Sequence, residues 1–261
     1  MDLGLKDQVT LVTAASRGLG LASARALAAD GAKVALAARS ADALHGLSQE
    51  LSAGPGEAKA FPFDLSDAKA PEDLVSAVVK EWGRLDAVVV NAPGPPSGLA
   101  HKLSDDDWQS AIDLVLMSAV RLSRAAAEVM VEQGGGRITF ISTIGVRTVQ
   151  PEMVLSNATR LAIMGLAKTM SLELADRGVL VNQVAPGPIE TDRMDELFEQ
   201  TAVRAGISIE EARGQWMDEV PMKKLGRPED VGALVAFLSS PACGYTTGAV
   251  IPVDGGKSRA Y

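Results

Sequence analysis

The sequence predicts an α/β protein in which a parallel sheet of seven strands has helices on both faces, a doubly wound fold. Two observations predict it: short apolar segments alternate with helical segments along the whole chain, and no linker-like stretch divides them. Strands buried on both faces are apolar throughout, and helices between successive strands make those strands parallel. We therefore expect one domain over residues 1–261.

The first half of the chain contains four predicted strands and three helices. Residues 9–13 form a short apolar run with β-branched side chains, and the alanine-rich helix after it stops at Gly31. The second helix ends in the turn Gly54-Pro55-Gly56, because glycine and proline interrupt helices. The predicted strands are 9–13, 33–38, 58–63 and 85–90, and the predicted helices are 19–30, 41–51 and 71–82.

The second half begins with a long helix that three glycines close, and it contains the remaining three strands. Residues 190–219 break the alternation, because this segment is charged and helical and stands between the sixth strand and the last helix. Segments inserted after strand ends commonly cover a binding site, so we expect this one to cover the substrate. The predicted strands are 137–141, 179–184 and 249–253, and the predicted helices are 105–132, 154–175 and 228–238.

Composition excludes several classes of protein. The net charge of −8 disfavours nucleic acid and anionic membrane surfaces as partners. The single cysteine, Cys243, cannot form a disulfide within the chain, and His45 and His101 are too few for a zinc cluster, so no metal is expected. No apolar run approaches the ~18 residues of a membrane helix, and the first residues do not resemble a signal peptide. We expect a cytoplasmic protein.

A glycine loop follows the first predicted strand. The segment Thr13-Ala14-Ala15-Ser16-Arg17-Gly18-Leu19-Gly20 runs directly into a helix. Gly18 and Gly20 let the backbone approach a pyrophosphate closely, and the start of a helix offers N–H groups and a positive dipole. At the first strand-to-helix junction of such a sheet, this loop predicts a Rossmann-type dinucleotide site.

Further motifs follow other strands in order, and together with the loop they resemble the short-chain dehydrogenase/reductase family over nearly the whole chain. They are Asp64-Leu65, Asn91-Ala92, Pro186-Gly187-Pro188-Ile189-Glu190-Thr191, residues 226–230 and residues 253–256. Ala14, Val90 and Pro93 depart from the family pattern. The resemblance implies hydride transfer between a nicotinamide cofactor and a carbonyl or alcohol.

The resemblance also implies which residues bind the cofactor. The second strand ends in Arg39 where an NAD enzyme would place a carboxylate for the ribose 2′-hydroxyl. Arg39 and Arg17 suit a 2′-phosphate instead, although both could be ordinary surface arginines, so we expect NADP(H). The expected cofactor-binding residues are Thr13, Ser16, Arg17, Gly18, Leu19, Gly20, Arg39, Asp64, Leu65, Asn91, Ala92, Arg160, Pro186, Gly187, Ile189 and Thr191.

The catalytic positions of the family are the most altered part of the sequence. Relatives use a Ser, a Tyr, a Lys four residues after the Tyr, and an Asn. Thr143 stands at the Ser position, and the family spacing puts Ser156 and Arg160 at the Tyr and Lys positions. Val115 stands at the Asn position. A serine hydroxyl is a much weaker acid than a phenol, and Arg stays protonated, so weak reduction is expected, with Ser156 and Arg160 either catalytic or merely binding cofactor.

The resemblance is strongest to 3-oxoacyl-acyl-carrier-protein reductases, so a carbonyl, alcohol or acyl-thioester substrate is expected. One alternative is a dinucleotide-binding sensor or assembly subunit that has lost catalysis, and another is non-redox chemistry such as a lyase reaction. Helices 105–132 and 154–175 carry apolar residues on more than one face, which predicts a homotetramer, or at least a dimer. Tyr261 could supply the missing phenol to a neighbouring subunit.

Overall fold

A computed structural model describes residues 2–259 and places seven strands in one sheet. The sheet order is β3-β2-β1-β4-β5-β6-β7, and every neighbouring pair is parallel, so the predicted doubly wound fold is confirmed. The strands are β1 Val9–Thr13, β2 Lys33–Ala38, β3 Glu57–Pro62, β4 Ala87–Val90, β5 Gly136–Ile141, β6 Val179–Pro186 and β7 Val250–Val253. Because strand order reverses between β1 and β4, a crevice opens at their carboxyl ends.

Helices cover both faces of this sheet. One face packs on α1, α2 and α9, and the other packs on α3, α5 and α6. The helices are α1 Gly18–Ala29, α2 Ala41–Ser52, α3 Ala70–Trp82, α4 Asp105–Ala111, α5 Ser118–Glu132, α6 Val154–Leu174, α7 Asp192–Ala205, α8 Ile209–Asp218 and α9 Pro228–Leu238. Among the described residues, no helix is long and apolar enough to cross a membrane.

The helix predicted over 105–132 contains a wider turn. Ser104 caps its start by accepting from the N–H of Asp107 at 3.2 Å, and Ile112–Met117 form a π-helical segment between α4 and α5. A π segment adds residues to a turn, and it shifts the side chains that follow around the helix axis. Val115, inside this segment, is only 1% exposed and belongs to the apolar core.

The fourth strand begins two residues later than the sequence predicted. Before β4, the side-chain amide of Gln133 bonds the backbone of Leu85, donating to its carbonyl oxygen at 2.7 Å. The neighbouring Asp86 carboxylate accepts from the N–H of Val9 at 2.8 Å and from Arg84. The Gln133 side chain therefore occupies the backbone groups of Leu85, whereas the backbone of Asp86 still bonds Val9 and Arg137 on the neighbouring strands.

Residues 190–219 form the two helices α7 and α8, which agrees with their predicted helical character. The ring of Phe198 on α7 meets the ring of Trp216 on α8 edge-on, with centroids 6.4 Å apart. Lys257 also contacts this tryptophan, with its ammonium 4.6 Å from the ring centre and 2.5 Å from Glu219 Oε2. The end of the described chain is thus fastened to α8.

Candidate functional site

Two adjoining cavities follow the carboxyl edge of the sheet. The outer cavity, of about 680 Å³, lies beside the ends of β1, β2 and β3. The central cavity, of about 370 Å³, lies beside the ends of β4, β5 and β6 and is also lined by the start of α7. Ala14, Arg17 and Pro93 line both, so the cavities meet at the glycine loop.

The glycine loop has the backbone shape that a pyrophosphate requires. Gly18 has a positive φ of 55°, and a methyl group at Gly20 would overlap the carbonyl oxygen of Ala14. No side chain caps the start of α1, whereas Ser40 caps α2 and Ser208 caps α8. The N–H groups and the positive dipole end of α1 are therefore available to an anion. The loop fits a dinucleotide.

Two predicted cofactor residues, Thr13 and Gly20, are buried at the two ends of the glycine loop and do not line either cavity. Thr13 is fully buried, and its hydroxyl donates to the carbonyl oxygen of Asn91 at 2.7 Å and accepts from the Asn91 N–H at 2.9 Å. It thus joins the ends of β1 and β4. Gly20 is buried against Ala14, where only a residue without a side chain fits.

The outer cavity combines cations with a polar rim. Arg39 is exposed there, and Arg17 makes an exposed ion pair with Asp192 at 3.3 Å. Hydrogen bonds from the N–H and hydroxyl of Ser66 hold the pKa of Asp64 below its usual value, and the charge of Arg39 acts in the same direction. Exposed pairs of this kind are weak, so Arg17 can exchange its partner for a phosphate. Of the predicted residues, Ser16, Arg17, Arg39, Asp64 and Leu65 line this cavity.

The central cavity gathers most of the other predicted residues. The strand ends bring side chains from four separate parts of the chain to one place, as the fold predicts. The predicted residues that line it are Arg17, Gly18, Leu19, Asn91, Ala92, Thr143, Ser156, Arg160, Pro186, Gly187, Ile189 and Thr191.

Arg160 forms part of the wall of this cavity and is only 7% exposed. Its Nη1 donates to the carbonyl oxygen of Ile141 at 2.8 Å, and its Nη2 donates to that of Ala92 at 3.3 Å. Burial, and then the charge of Arg193, lowers the pKa of Arg160 to about 10. The guanidinium is therefore charged at neutral pH and spans the ends of β4 and β5.

Two hydroxyl groups lie near Arg160. Ser156 is one helical turn before it on α6, so both side chains share a face of that helix. The hydroxyl of Thr143 accepts from the N–H of Gly145 at 3.2 Å and caps the short turn Ile144–Val146. Thr143 can still donate its hydroxyl proton, because accepting a hydrogen bond leaves that proton free.

Sequence reasoning missed four polar residues of the central cavity: Ser142, Asp192, Arg193 and Glu196. Ser142 also lines it, and its hydroxyl is buried with no hydrogen-bond partner among the described residues. Arg193 on α7 also lines this cavity, together with Met194, Glu196 and Leu197. The sequence offered one signal for Ser142 and Arg193, their closeness to predicted site residues: Ser142 precedes Thr143, and Arg193 lies two residues after Thr191.

Val115 and the tyrosines lie elsewhere. Val115 is packed in the apolar core, and the fully exposed Tyr245 lines neither cavity. Tyr261 lies outside the described residues, so the idea that it reaches a neighbouring subunit stays a prediction. Within residues 2–259, the acidic and hydroxyl groups of the central cavity include no phenol.

Fold and crevice together define a nicotinamide-dependent oxidoreductase of the doubly wound type, and comparison with known proteins agrees. A family profile described as enoyl-(acyl carrier protein) reductase matches residues 13–258. The chain belongs to the short-chain dehydrogenase/reductase family, as its motifs indicated.

Individual relatives show how closely the chain follows that family. It is 35% identical over 254 residues to the 3-oxoacyl-[acyl-carrier-protein] reductase of Synechocystis, covering 97% of each chain. It is 30% identical over 252 residues to the corresponding reductase of Thermotoga maritima, covering 97% of this chain and 98% of the relative. The L-sorbose reductase of Gluconobacter frateurii, solved with NADPH and L-sorbose, superposes with a TM-score of 0.93 at 29% identity over both complete chains.

Proposed function

We propose that this protein binds NADP(H) across both cavities and catalyses the interconversion of a carbonyl and an alcohol in the central one, with a 3-oxoacyl thioester as the first substrate to test. The uncapped glycine loop that joins the two cavities carries this proposal, because it would hold the pyrophosphate where the cavities meet. The 3-oxoacyl-[acyl-carrier-protein] reductases among the relatives support the choice of thioester.

The cofactor would lie with its adenosine half in the outer cavity and its nicotinamide half in the central cavity. Bound there, it supplies or accepts the hydride. Asp64 and Leu65 would contact the adenine, Arg39 and Arg17 the 2′-phosphate, and Pro186, Gly187, Ile189 and Thr191 the nicotinamide side. Asn91 and Ala92 would line the passage between the two halves, and Ser16, Gly18 and Leu19 would surround the pyrophosphate.

Preference for NADP(H) follows from the charges of the outer cavity. A ribose 2′-hydroxyl is usually bound by a carboxylate at the end of the second strand, and this chain has Arg39 there. An arginine binds a phosphate through parallel N–H bonds, and the weak ion pair of Arg17 leaves a second guanidinium available.

Ser156, Arg160 and Thr143 would act on the substrate oxygen. A hydroxyl of Ser156 or Thr143 can donate a hydrogen bond to the carbonyl, and the fixed charge of Arg160 stabilises negative charge that develops on it. Neither group is a strong acid, so the gain of about 10²- to 10⁴-fold from general acid catalysis would be reduced. Holding the reactants in place can still lower the barrier by about 7–11 kcal/mol.

The rest of the molecule fits a small-molecule enzyme. The start of α7 would cover the substrate, and α8 would support α7 from behind through Trp216 and Phe198. We infer a cytoplasmic homotetramer, or at least a dimer, that does not bind nucleic acid or membranes.

The first experiment measures cofactor preference. NADPH should bind more tightly than NADH in a fluorescence titration, and Arg39→Asp should reverse the order by replacing a phosphate partner with a hydroxyl acceptor. Arg177→Asp, an equal change of charge at an exposed position on no cavity wall, should leave the order unchanged. Equal affinity of the wild type for both cofactors would contradict the proposal.

The second experiment asks whether the bound cofactor reacts. Single-turnover oxidation of bound NADPH by a panel of carbonyl compounds, with 3-oxobutanoyl N-acetylcysteamine among them, is expected. NADPH binding without oxidation by any of them would favour the sensor or assembly subunit that the altered positions 156 and 160 also permit.

A further inference from the structure

The charges that line the central cavity do not balance. Three arginines and two carboxylates line it, and each carboxylate already pairs with an arginine at the rim: Asp192 with Arg17 at 3.3 Å and Glu196 with Arg193 at 2.9 Å. Arg160 is the third arginine. Among the described residues, no carboxylate lies within ion-pair distance of it, and its only acceptors are the two backbone carbonyl oxygens.

A buried charge without a counter-ion is costly, and this one borders a cavity. Arg160 uses two of its five N–H groups on Ile141 and Ala92, so three donors remain. Ribose hydroxyls of a cofactor could occupy one or two of these donors. They are neutral, however, and would leave the charge of Arg160 uncompensated.

Arg193 is held where it can act on the same ligand. Its Nη2 donates to the carbonyl oxygen of Pro95 at 3.2 Å and lies 3.4 Å from Ser97 Oγ, so it is fastened to the loop after β4. The backbone of Gly94 also lies close to this side chain. A Cβ added at Gly94 would be 3.4 Å from Arg193 Nε. Ala92, which accepts from Arg160, lies just before this loop.

The walls around the two arginines suit a small organic anion. Met153, Ile189, Met194 and Leu197 supply apolar surface to the same cavity. A planar guanidinium matches a carboxylate through two parallel N–H bonds, so an anion between Arg160 and Arg193 would supply the counter-ion that Arg160 lacks. It would also accept hydrogen bonds from Arg193, which already pairs with Glu196. Inorganic phosphate would fill less of the apolar wall.

From this arrangement we propose that the substrate carries its own carboxylate: the protein acts on an oxo acid, and in the reverse direction on a hydroxy acid, with Arg160 and Arg193 binding the carboxylate. The inference rests on the proposed function, since the reduction consumes a carbonyl compound, NADPH and a proton and yields the hydroxy acid and NADP⁺. The proposed substrate differs from a 3-oxoacyl thioester, because the thioester group is neutral where the oxo acid carries its carboxylate.

The test compares one oxo group in two forms. 3-Oxobutanoate carries the carboxylate, and its N-acetylcysteamine thioester is the neutral counterpart. Binding is measured by calorimetry with saturating NADP⁺, where no reduction can occur, and turnover is measured separately with NADPH. We expect 3-oxobutanoate to bind at least about tenfold more tightly than the thioester, the effect of one hydrogen bond to a charged group.

Variants assign that preference to the arginines. Arg193 is partly exposed, so Arg193→Gln should fold, and it should weaken 3-oxobutanoate about tenfold while leaving the thioester unchanged. Arg160→Lys keeps the charge but not the planar fork and should weaken 3-oxobutanoate less than Arg160→Gln does. Arg124→Gln, an exposed change of the same kind on α5, is the matched control and should change neither ligand.

Each outcome separates the two proposals. Thioester binding as tight as that of 3-oxobutanoate, binding of neither compound, or an equal loss of both in Arg193→Gln would overturn the carboxylate site. NADPH oxidation by the thioester alone would also overturn it while supporting the proposed function. Tight, arginine-dependent binding of 3-oxobutanoate without any NADPH oxidation would keep the carboxylate site and overturn the proposed reduction.

Discussion

Arg160 bridges the chain just after β4 and the last residue of β5, two neighbouring strands of the sheet. Its two terminal nitrogens reach the carbonyl oxygens of Ile141 and Ala92 separately. The sequence predicted that Ser156 and Arg160 share a helix face, because residues four apart always do. Adjacency to Thr191 indicated that Arg193 lies near the site, but the sequence could not predict that its side chain lines the cavity, because that depends on the packing of α7 against the loop after β4.

Restoring the family residues tests the assignment of positions 156 and 160. Ser156→Tyr combined with Arg160→Lys should raise the reductase rate on 3-oxobutanoyl N-acetylcysteamine by more than the product of the single effects, because a phenol needs the neighbouring lysine to lower its pKa. Ser156→Ala alone should lower the native rate. A folded, NADPH-binding double variant that is no faster than the wild type would mean that these positions are assigned wrongly.

Ala14 is strained in the glycine loop. Its φ is +48°, a left-handed conformation that costs an alanine about 1–2 kcal/mol. Ala14→Gly relieves this strain, but glycine also gives the unfolded chain more conformational entropy, which offsets part of the gain. The net result should be a rise of about 0.5–1 kcal/mol in the free energy of unfolding. Urea denaturation measures it. Ala29→Gly, at the end of α1 in ordinary helical backbone, should lower stability instead.

At the scale of the elements, burial made the strands predictable and local side-chain bonds made their limits unpredictable. β2 and the body of β4 were recognisable because the central residues of β2 and all four residues of β4 are buried and apolar. The start of β4 was not, since the amide of Gln133, 48 residues away, replaces a strand partner at Leu85. The π segment within the 105–132 helix has no counterpart in the apolar spacing that predicted the helix.

That π segment holds Val115 in the core, which gives an element-level prediction. Val115→Asn would restore the family residue but would bury an amide among apolar neighbours such as Leu122 and Ile163. We expect a loss of about 1–3 kcal/mol in the free energy of unfolding, measured by urea denaturation. Val115→Thr should cost less, because its hydroxyl can bond the carbonyl one turn earlier. If Val115→Asn is as stable as the wild type, the new amide must have a hydrogen-bond partner or a bound water, and the prediction is wrong.

Across the whole molecule, the reversal of sheet order at β1 and β4 is what brings distant motifs together. The sequence predicted the edge at which they meet, because parallel strands end on the same side. It could not predict the division into two cavities, which depends on how the loop after β4 and the start of α7 approach each other.

Assembly is the prediction at this largest scale. Leu161 and Leu172 are 39% and 73% exposed, and they lie eleven residues apart on one face of α6. We expect light scattering at micromolar concentration to give the mass of a tetramer, or at least a dimer, and Leu172→Lys to lower it by removing apolar contact. Val203→Lys, an equal change at an exposed position on α7, should keep the wild-type mass. A monomeric wild type would refute the prediction.

The cluster of Phe198, Trp216 and Lys257 also gives the enzyme an optical property. Trp216 contacts an aromatic ring on α7 and an ammonium near the end of the described chain, and its indole nitrogen is 3.4 Å from Thr201 Oγ1. Indole emission shifts in colour and intensity when such neighbours move. With Trp82 and Trp108 replaced by phenylalanine, the remaining fluorophore would report in real time, without any added dye, how α7 responds when the cavity beside it fills.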